Sequence, residues 1–242
     1  MSDFRYLVLP LFIAVLKEGE IAEPLKYLGM AFFINKEGTI ATCSHLISNA
    51  DPNKSIIGIQ MHNDKFFEVK NIKCHERYDF AIAETDIKDN LVLPLIEKEH
   101  LRAGTDIVAY GVNTAGMDGQ VLDLHPRFMK GYLVRVGEKP AVEHARSVCE
   151  VSFPSLSGFS GTPIVSDLPN QQIVGMLYGN YESTIELHNT TEIEENGSKY
   201  SEQIHRVLEF GLAHTADDIY KYLEDLGYLD GKEPRKDYKG NK

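Results

Sequence analysis

The sequence predicts an all-β protein made of two six-stranded antiparallel β-barrels and one C-terminal α-helix. Before residue 214, the 242-residue chain consists of short apolar runs separated by turn residues, without long helical periodicity. The runs fall into two sets, and strands that follow one another without helices between them form sandwiches or closed barrels. The one convincing amphipathic helix comes after the last strand.

The first set of strands is assigned to an N-terminal barrel over residues 1–98. Its opening run, from Tyr6 to Leu16, is the chain's candidate for a signal peptide, but Pro10 interrupts it and charged residues follow it instead of a small-residue cleavage site. We therefore interpret it as an ordinary strand. No apolar run in the sequence is long enough to span a bilayer. The six predicted strands are 11–16, 30–35, 39–43, 56–61, 66–73 and 80–84.

The second set of strands is assigned to a C-terminal barrel over residues 99–214. The stretch 91–104 is interpreted as the connector between the two sets, because it contains turn residues and no clear strand pattern. The six predicted strands of this barrel are 106–110, 130–136, 145–150, 162–165, 173–178 and 207–213.

A C-terminal helix is predicted over residues 215–228. Thr215 is its N-cap, acidic residues occupy its first turn, and Gly227 is a stop signal. The charged residues 229–242 are predicted to form a mobile tail. The apolar positions at helical spacing are Ile219, Leu223 and Leu226.

The composition excludes several classes of partner and cofactor. With 25 Lys and Arg against 36 Asp and Glu, the net charge of −11 disfavours a nucleic-acid partner, and we expect no membrane association. Cys43, Cys74 and Cys149 are an odd, sparse set, which argues against a disulfide framework and predicts a reducing compartment, the cytoplasm. The run Cys74-His75-Glu76 offers too few ligands for zinc, so we expect no metal and no cofactor.

The stretch "SLSGFSGTPIV", residues 155–165, places Ser160 on a turn rich in Gly and Pro just before an apolar strand. Turns use these residues for backbone reasons alone, so the motif by itself is compatible with a purely structural role. A Ser hydroxyl becomes a nucleophile when a general base and an orienting acid reach it.

Candidates for the base and the acid precede this serine. His45 ends the second strand of the predicted hairpin "GMAFFINKEGTIATCSHLIS", and Asp79 opens the apolar strand in "DFAIAE". Taken singly, a histidine after a strand or an aspartate before one is more often structural. The order His45, Asp79, Ser160, with each residue at a strand edge, is the more specific observation.

This order resembles that of the chymotrypsin-like serine peptidases, and most closely the compact bacterial trypsin-like peptidases of the high-temperature-requirement type. The motifs "GMAFFI", "TCSH", "DFAIAE" and "GFSGTP" carry the resemblance, which covers about residues 6–226 together with "IVGMLYG" and "FGLAHTADDIYKYL". An α/β-hydrolase is rejected, because its nucleophile motif needs Gly where Thr162 stands, and its helical crossovers are missing. His205 and His214, which follow the serine, do not rescue that alternative.

The resemblance implies a serine endopeptidase that acts on a polypeptide substrate through an acyl-enzyme. Ser160 would be the nucleophile, His45 the general base and Asp79 the acid that orients it, with the backbone N–H groups of Gly158 and Ser160 as oxyanion hole. The alternative is a peptidase-fold binding module that is inert or is activated by a regulatory protein partner. The substrate-binding residues implied by the family are Pro154, Ser155, Tyr178, Gly179, Asn180 and Gly211.

The sequence departs from the family pattern at two places. Phe159 stands where digestive members carry the Asp that pairs with a newly cleaved N-terminus, so we expect Phe159 to be buried and no such activation to be needed. No acid lies at the floor of the primary pocket, so a preference for Arg or Lys is not supported. The stretch 181–203 contains six Glu against one Lys. We interpret it as a solvated surface loop or, alternatively, as a gate or a docking surface for basic segments of a substrate or regulator.

Overall fold

A seven-stranded sheet, a closed six-stranded barrel and a C-terminal helix follow one another along the chain in our computed structural model. The structure describes residues 3–17, 20–21, 26–48, 51, 53–113, 124–137, 143–193 and 199–229. This architecture confirms the predicted fold class. All twelve predicted strands are present, although their bounds differ.

The N-terminal half is a curled antiparallel sheet with the strand order β7-β6-β1-β4-β5-β9-β8. It contains seven strands because the predicted strand 66–73 is divided at Val69, and the sheet remains open where a closed six-stranded barrel was expected. A short two-stranded ribbon, β2 and β3, stands apart from it. The strands are β1 (Val8–Ala14), β2 (Leu16–Lys17), β3 (Glu20–Ile21), β4 (Lys26–Phe33), β5 (Thr39–Thr42), β6 (Ser55–Ile59), β7 (Phe66–Glu68), β8 (Lys70–Cys74) and β9 (Ala81–Glu84).

The C-terminal half is a closed barrel with the order β10-β11-β12-β15-β14-β13. An irregular connector joins it to the first sheet. It contains a short 3-10 turn at Lys98–His100 and an isolated parallel β-bridge between Leu95 and Ile173. The strands are β10 (Asp106–Asn113), β11 (His125–Gly137), β12 (Val148–Val151), β13 (Pro163–Ser166), β14 (Ile173–Ile193) and β15 (Lys199–Thr215).

The last two strands correct one interpretation from the sequence. Within the stretch 181–203, residues 181–193 and 199–203 are strands and not a loop, because β14 and β15 pair as an antiparallel ribbon from Tyr181↔Phe210 to Ile193↔Lys199. Glu is depleted in β-strands, so a Glu-rich stretch does not indicate a strand. The sequence signal for such a hairpin is the dipeptide Asn196-Gly197, which lies outside the described residues.

The C-terminal helix α2 (Ala216–Asp225) begins at the predicted N-cap. The Thr215 side chain accepts a hydrogen bond from the N–H of Asp218, and the Asp218 carboxylate accepts one from the N–H of Thr215, which completes a capping box. Gly227 follows the helix at φ 67°, as its role as stop signal predicts. No helix among the described residues is long and apolar enough to cross a membrane. Of the predicted tail, all but Leu229 lies outside the described residues.

One hydrophobic core runs through both halves of the molecule. Cys43 and Leu46 from the first sheet belong to the same buried cluster as Phe159 and Leu177 from the barrel and Tyr222 from α2. The candidate site residues lie along this junction, so their geometry depends on how the sheet packs against the barrel. The predicted domain boundaries remain a prediction.

Candidate active site

His45 and Asp79 are joined directly by a short hydrogen bond. The distance from His45 Nδ1 to Asp79 Oδ2 is 2.6 Å. Asp79 Oδ1 also accepts hydrogen bonds from the backbone N–H of His45, at 2.9 Å, and from the Ser44 hydroxyl, at 3.0 Å. His45 lies in a helical turn, α1 (Ser44–Ile47), because β5 already ends at Thr42, so the expectation that His45 ends the strand was wrong.

The protonation pattern of this pair follows from its surroundings. Burial raises the pKa of the Asp79 carboxyl, but the hydrogen bonds from His45 and Ser44 outweigh it, so the pKa is lowered overall. Asp79 is therefore an anion that accepts the proton on His45 Nδ1, which leaves His45 Nε2 as a proton acceptor. The His45 side chain is 46% exposed, whereas that of Asp79 is 15% exposed, so the acceptor nitrogen lies on an accessible ring.

Ser160 lies on the barrel side of the same junction. Its carbonyl accepts a hydrogen bond from the N–H of Met30 at 2.8 Å, which ties the serine loop to the first sheet. Its hydroxyl donates to the carbonyl of Tyr178 at 3.4 Å. Among the hydrogen bonds of the described residues, none joins Ser160 Oγ to the His45 ring. The three residues therefore lie at one junction. Among these three, the hydrogen bond given by the described residues is the one between His45 and Asp79.

The backbone on both sides of Ser160 requires glycine. Gly158 and Gly161 have φ angles of 88° and 86°, which side chains with a Cβ rarely adopt. A Cβ on Gly161 would lie 1.8 Å from the carbonyl oxygen of Met30. This close approach explains why a residue without a side chain stands next to Ser160 in the loop.

The loop is held by packing and by one distant tyrosine. Phe159 is fully buried, as expected from the sequence. The Tyr27 hydroxyl lies 2.8 Å from the carbonyl oxygen of Gly158 and 3.0 Å from that of Val112, so it donates to this pair of acceptors. No local pattern singles out Tyr27, which lies 131 positions before its acceptor Gly158.

The predicted substrate-binding residues form one contiguous group beside Ser160. Asn180 Oδ1 accepts from the N–H of Ser155 at 2.6 Å, and Asn180 Nδ2 donates to its carbonyl at 3.0 Å. Gly211 is the partner of Asn180 across β14 and β15. Gly179 has open space where a side chain would stand. Pro154 precedes Ser155 and is half-buried.

A buried histidine that the sequence motif did not predict, His214, holds the backbone of Asp79 by a hydrogen bond. His214 Nε2 lies 3.0 Å from the carbonyl oxygen of Asp79, so this nitrogen carries the proton and donates it. Its Nδ1 accepts from the Tyr222 hydroxyl at 3.4 Å, and its ring packs on Tyr178 with centroids 4.5 Å apart. Burial lowers the pKa of His214 to about 4, although the nearby Asp79 opposes the shift. The sequence gives His214 a role only in the rejected hydrolase alternative.

One group of potential metal ligands coincides with this site. Ligand atoms of Cys43, His45 and Asp79 lie within 4.8 Å of one another. The Cys43 thiol is buried and donates to the carbonyl of Leu177 at 3.4 Å, and burial raises its pKa well above the usual value. A protonated thiol is a poor ligand, and the His45–Asp79 hydrogen bond occupies the other two groups. The geometry therefore suits proton transfer better than metal binding.

Comparisons with known proteins agree with the motifs. The sequence model of the family described as Trypsin-like peptidase domain matches residues 29–176. The chain is 28% identical over 146 residues to a probable periplasmic serine endoprotease, DegP-like, from Pseudomonas fluorescens. The match covers 60% of this chain and 28% of that relative, so the chain corresponds to less than a third of the relative's length.

Solved structures of HtrA-type proteases share the fold. The structure of the HtrA-type protease AlgW with a decapeptide has a TM-score of 0.63 and 15% identity, and the match covers 92% of this chain and 66% of that one. The structure of AlgW with a tripeptide has a TM-score of 0.60 and 16% identity, with coverage of 92% and 62%. At this identity the likeness establishes the fold, and the resemblance inferred from the sequence is confirmed.

The relative from Pseudomonas fluorescens overturns the predicted location. It is named as periplasmic, which contradicts the cytoplasmic location that we inferred from the cysteines. The inference was wrong because Cys43 and Cys149 are buried and all three thiols are free. Disulfide formation needs two cysteines in close approach, so cysteines that do not pair carry no information about the compartment.

Proposed function

The chain belongs to the family of trypsin-like peptidase domains, and we propose that it is a serine endopeptidase with Ser160, His45 and Asp79 as its catalytic triad. The observation that carries the proposal is the 2.6 Å hydrogen bond between His45 Nδ1 and Asp79 Oδ2. It leaves His45 Nε2 outside that hydrogen bond, as the nitrogen proposed to act as the base. The peptides bound in the AlgW structures support a polypeptide as substrate.

The proposed reaction begins with proton transfer from Ser160. As the Oγ–carbon bond to the substrate carbonyl forms, the hydroxyl proton moves to His45 Nε2, and the Asp79 carboxylate stabilises the resulting imidazolium. The imidazolium then gives its proton to the leaving amine as the carbon–nitrogen bond breaks. Water hydrolyses the acyl-enzyme by the same proton transfers and regenerates Ser160.

The oxyanion of the tetrahedral intermediate is assigned to the backbone N–H groups of Gly158 and Ser160. The fully buried Phe159 and the hydrogen bond from the Tyr27 hydroxyl to the Gly158 carbonyl fix the peptide groups between them. Because these donors belong to the backbone, their position depends on the loop conformation and not on a side chain. The six residues around Asn180 are proposed to line the primary pocket.

A fluorophosphonate probe tests this assignment. It phosphonylates an activated serine with loss of fluoride, so the wild-type protein should be labelled at Ser160 and should cleave denatured casein. Ser160→Ala should lose both, His45→Ala should lose nearly as much, and Asp79→Asn should lose about 10⁴-fold if it matches the family template. Circular dichroism checks that each variant folds. Wild-type labelling that survives Ser160→Ala would contradict the assignment.

A partner-activated binding module is the second candidate, and one observation favours it. The Ser160 hydroxyl donates to the Tyr178 carbonyl, so it must turn away from that acceptor before His45 can take its proton. Under this alternative, the probe labels Ser160 only after denatured casein or another polypeptide is added. Labelling of the isolated protein at the same rate with and without casein would exclude it.

A further inference from the structure

Asp79 stands near the end of a short turn that connects β8 to β9. The N–H of His75 donates to the carbonyl of Phe80 at 2.8 Å and closes this turn. Inside it, His75 Nδ1 accepts the backbone N–H groups of Arg77 and Tyr78, each at 3.1 Å. The His75 side chain therefore takes the place of a main-chain acceptor, and the path of the backbone into Asp79 depends on where this ring stands.

The ring of His75 is fixed from its other side by α2. Two N–H donors point at Nδ1, so that nitrogen carries no proton, and the proton of the neutral ring is on Nε2. This Nε2 lies 3.2 Å from Oδ2 of Asp225, the last residue of α2, and donates to it. Only 9% of the His75 side chain is exposed, against 52% of the Asp225 side chain. The position of a nearly buried ring therefore depends on an acceptor at the end of the helix.

Asp225 is an unfavourable residue for the position that it occupies. The C-terminal end of a helix carries a partial negative charge, so an acidic side chain there destabilises the helix. The last turn of α2 contains no basic residue, and Glu224 adds a second carboxylate to it. Helix formation therefore does not explain why an acid stands at this position, whereas the hydrogen bond from His75 does.

A second residue of α2 reaches Asp79 through the other histidine. The Tyr222 hydroxyl donates to His214 Nδ1 at 3.4 Å, and His214 Nε2 donates to the Asp79 carbonyl at 3.0 Å. The Tyr222 ring also packs on the ring of His75, with centroids 5.2 Å apart. One helix therefore supports the backbone before Asp79 through His75 and the carbonyl of Asp79 itself through His214.

We propose that α2 positions the triad aspartate through the hydrogen bond between His75 and Asp225, which makes these two residues positioning residues of the site. The turn that His75 holds places the Asp79 carboxylate where it accepts from both Nδ1 and the backbone N–H of His45. When the turn shifts, the 2.6 Å bond to Nδ1 lengthens, and His45 loses the acceptor that keeps its proton on this nitrogen. The effect on reaction rate rests on the proposed peptidase function, whereas the location of the His45 proton does not.

A purely structural clamp is the competing explanation. A hydrogen bond between the end of a helix and a turn of the sheet can stabilise the fold and leave the triad unchanged. The two explanations differ in what they predict for His45, because a loss of stability alone does not change which ring nitrogen carries the proton in the folded protein.

The first measurement determines the tautomer of His45. Ser160→Ala protein with ¹⁵N-labelled histidine is studied by long-range ¹H–¹⁵N correlation spectra in mildly alkaline buffer, where the ring is neutral, and His45→Ala assigns the signals. The parent should carry the His45 proton on Nδ1. Asp225→Ala and His75→Phe should shift it towards Nε2, because both remove the hydrogen bond. Asp225→Asn keeps an oxygen acceptor and should retain the tautomer of the parent.

The second measurement is the rate of fluorophosphonate labelling in protein that retains Ser160. Asp225→Ala and His75→Phe should lower the limiting rate, kinact, about tenfold and leave the half-saturating concentration unchanged, because the base is misplaced and the pocket is not. The double variant should lose no more than either single variant, since both remove the same bond. The matched control is Glu224→Ala, which removes a carboxylate of the same helix turn and its 3.2 Å ion pair with Lys221, and should behave as the parent does.

Several results would overturn the proposal. An unchanged His45 tautomer in Asp225→Ala and His75→Phe, with a lower Tm, would make the pair a structural clamp only. An equal loss in Asp225→Asn or in Glu224→Ala would assign the effect to the charge at the helix end and not to the hydrogen bond. A parent protein with the His45 proton on Nε2 would show that Asp79 does not hold this ring as described.

Folding and function are separated from positioning by the same set of proteins. Asp225→Ala removes an unfavourable charge from the end of α2, so we expect it to fold, and circular dichroism checks every variant. If the wild type resists fluorophosphonate while the His45 tautomer responds to Asp225→Ala, the peptidase function is overturned and the positioning role is supported.

Discussion

Replacement of His214 by Gln should change how the stability of the protein depends on pH. His214 is fully buried, and its pKa is lowered from 6.5 to about 4 because burial disfavours the charged ring. Between these two values the unfolded chain binds a proton at this residue and the folded chain does not. The free energy of unfolding therefore falls as the pH falls from 6.5 to 4, by about 1.4 kcal/mol for each pH unit, or about 3 kcal/mol in all.

His214→Gln removes this dependence and keeps a donor in place of Nε2. At pH 7.5 we expect the variant to be less stable by about 1–3 kcal/mol, since it loses the ring that packs on Tyr178. By pH 4.5 most of that gap should have closed. Urea unfolding followed by far-UV circular dichroism at pH 7.5, 6.5, 5.5 and 4.5 measures both proteins. Unfolding free energies that run parallel over this range would refute the reasoning.

Three further substitutions test the support of the serine loop and the helix. Tyr27→Phe removes the donor to the Gly158 carbonyl and should slow fluorophosphonate labelling about tenfold. Its circular dichroism spectrum should be unchanged. A labelling rate equal to that of the wild type would show that the hydroxyl does not position the loop. Gly161→Ala places a Cβ 1.8 Å from the Met30 carbonyl oxygen, whereas a Cβ at Gly104, which has the same φ of 86°, meets no atom within 4 Å. Thermal unfolding should therefore show a much larger decrease in Tm for Gly161→Ala than for Gly104→Ala. Equal decreases would assign the effect to the φ angle alone. Thr215→Ala removes the N-cap of α2 and should cost about 1 kcal/mol, or about 2–4 °C in Tm, whereas an unchanged Tm would show that the capping box adds nothing.

The sequence by itself determined the order of the strands, the C-terminal helix and the residues of the candidate triad. Strands and helices leave short-range patterns, such as the apolar run after Asp79 or the spacing of Ile219 and Leu223 behind Thr215. The motif around Ser160 was informative for the same reason, because a positive φ at Gly158 and Gly161 restricts the residue type locally. The ribbon of β14 and β15 beyond the barrel was not predicted, because the acidic composition of 181–203 is typical of a solvated loop.

Only the tertiary structure decided how the site is supported. Tyr27 reaches the Gly158 carbonyl from another sheet, and His214 reaches the Asp79 carbonyl across 135 positions of sequence. Among the described residues, the tertiary structure also pairs one edge of β14 with β13 over Ile173 to Met176 and leaves a following carbonyl, that of Tyr178, to accept from Ser160. A side chain's local pattern records which secondary structure it suits, whereas its hydrogen-bond partner depends on how the sheet, barrel and helix pack, and that packing is the sum of many distant contacts.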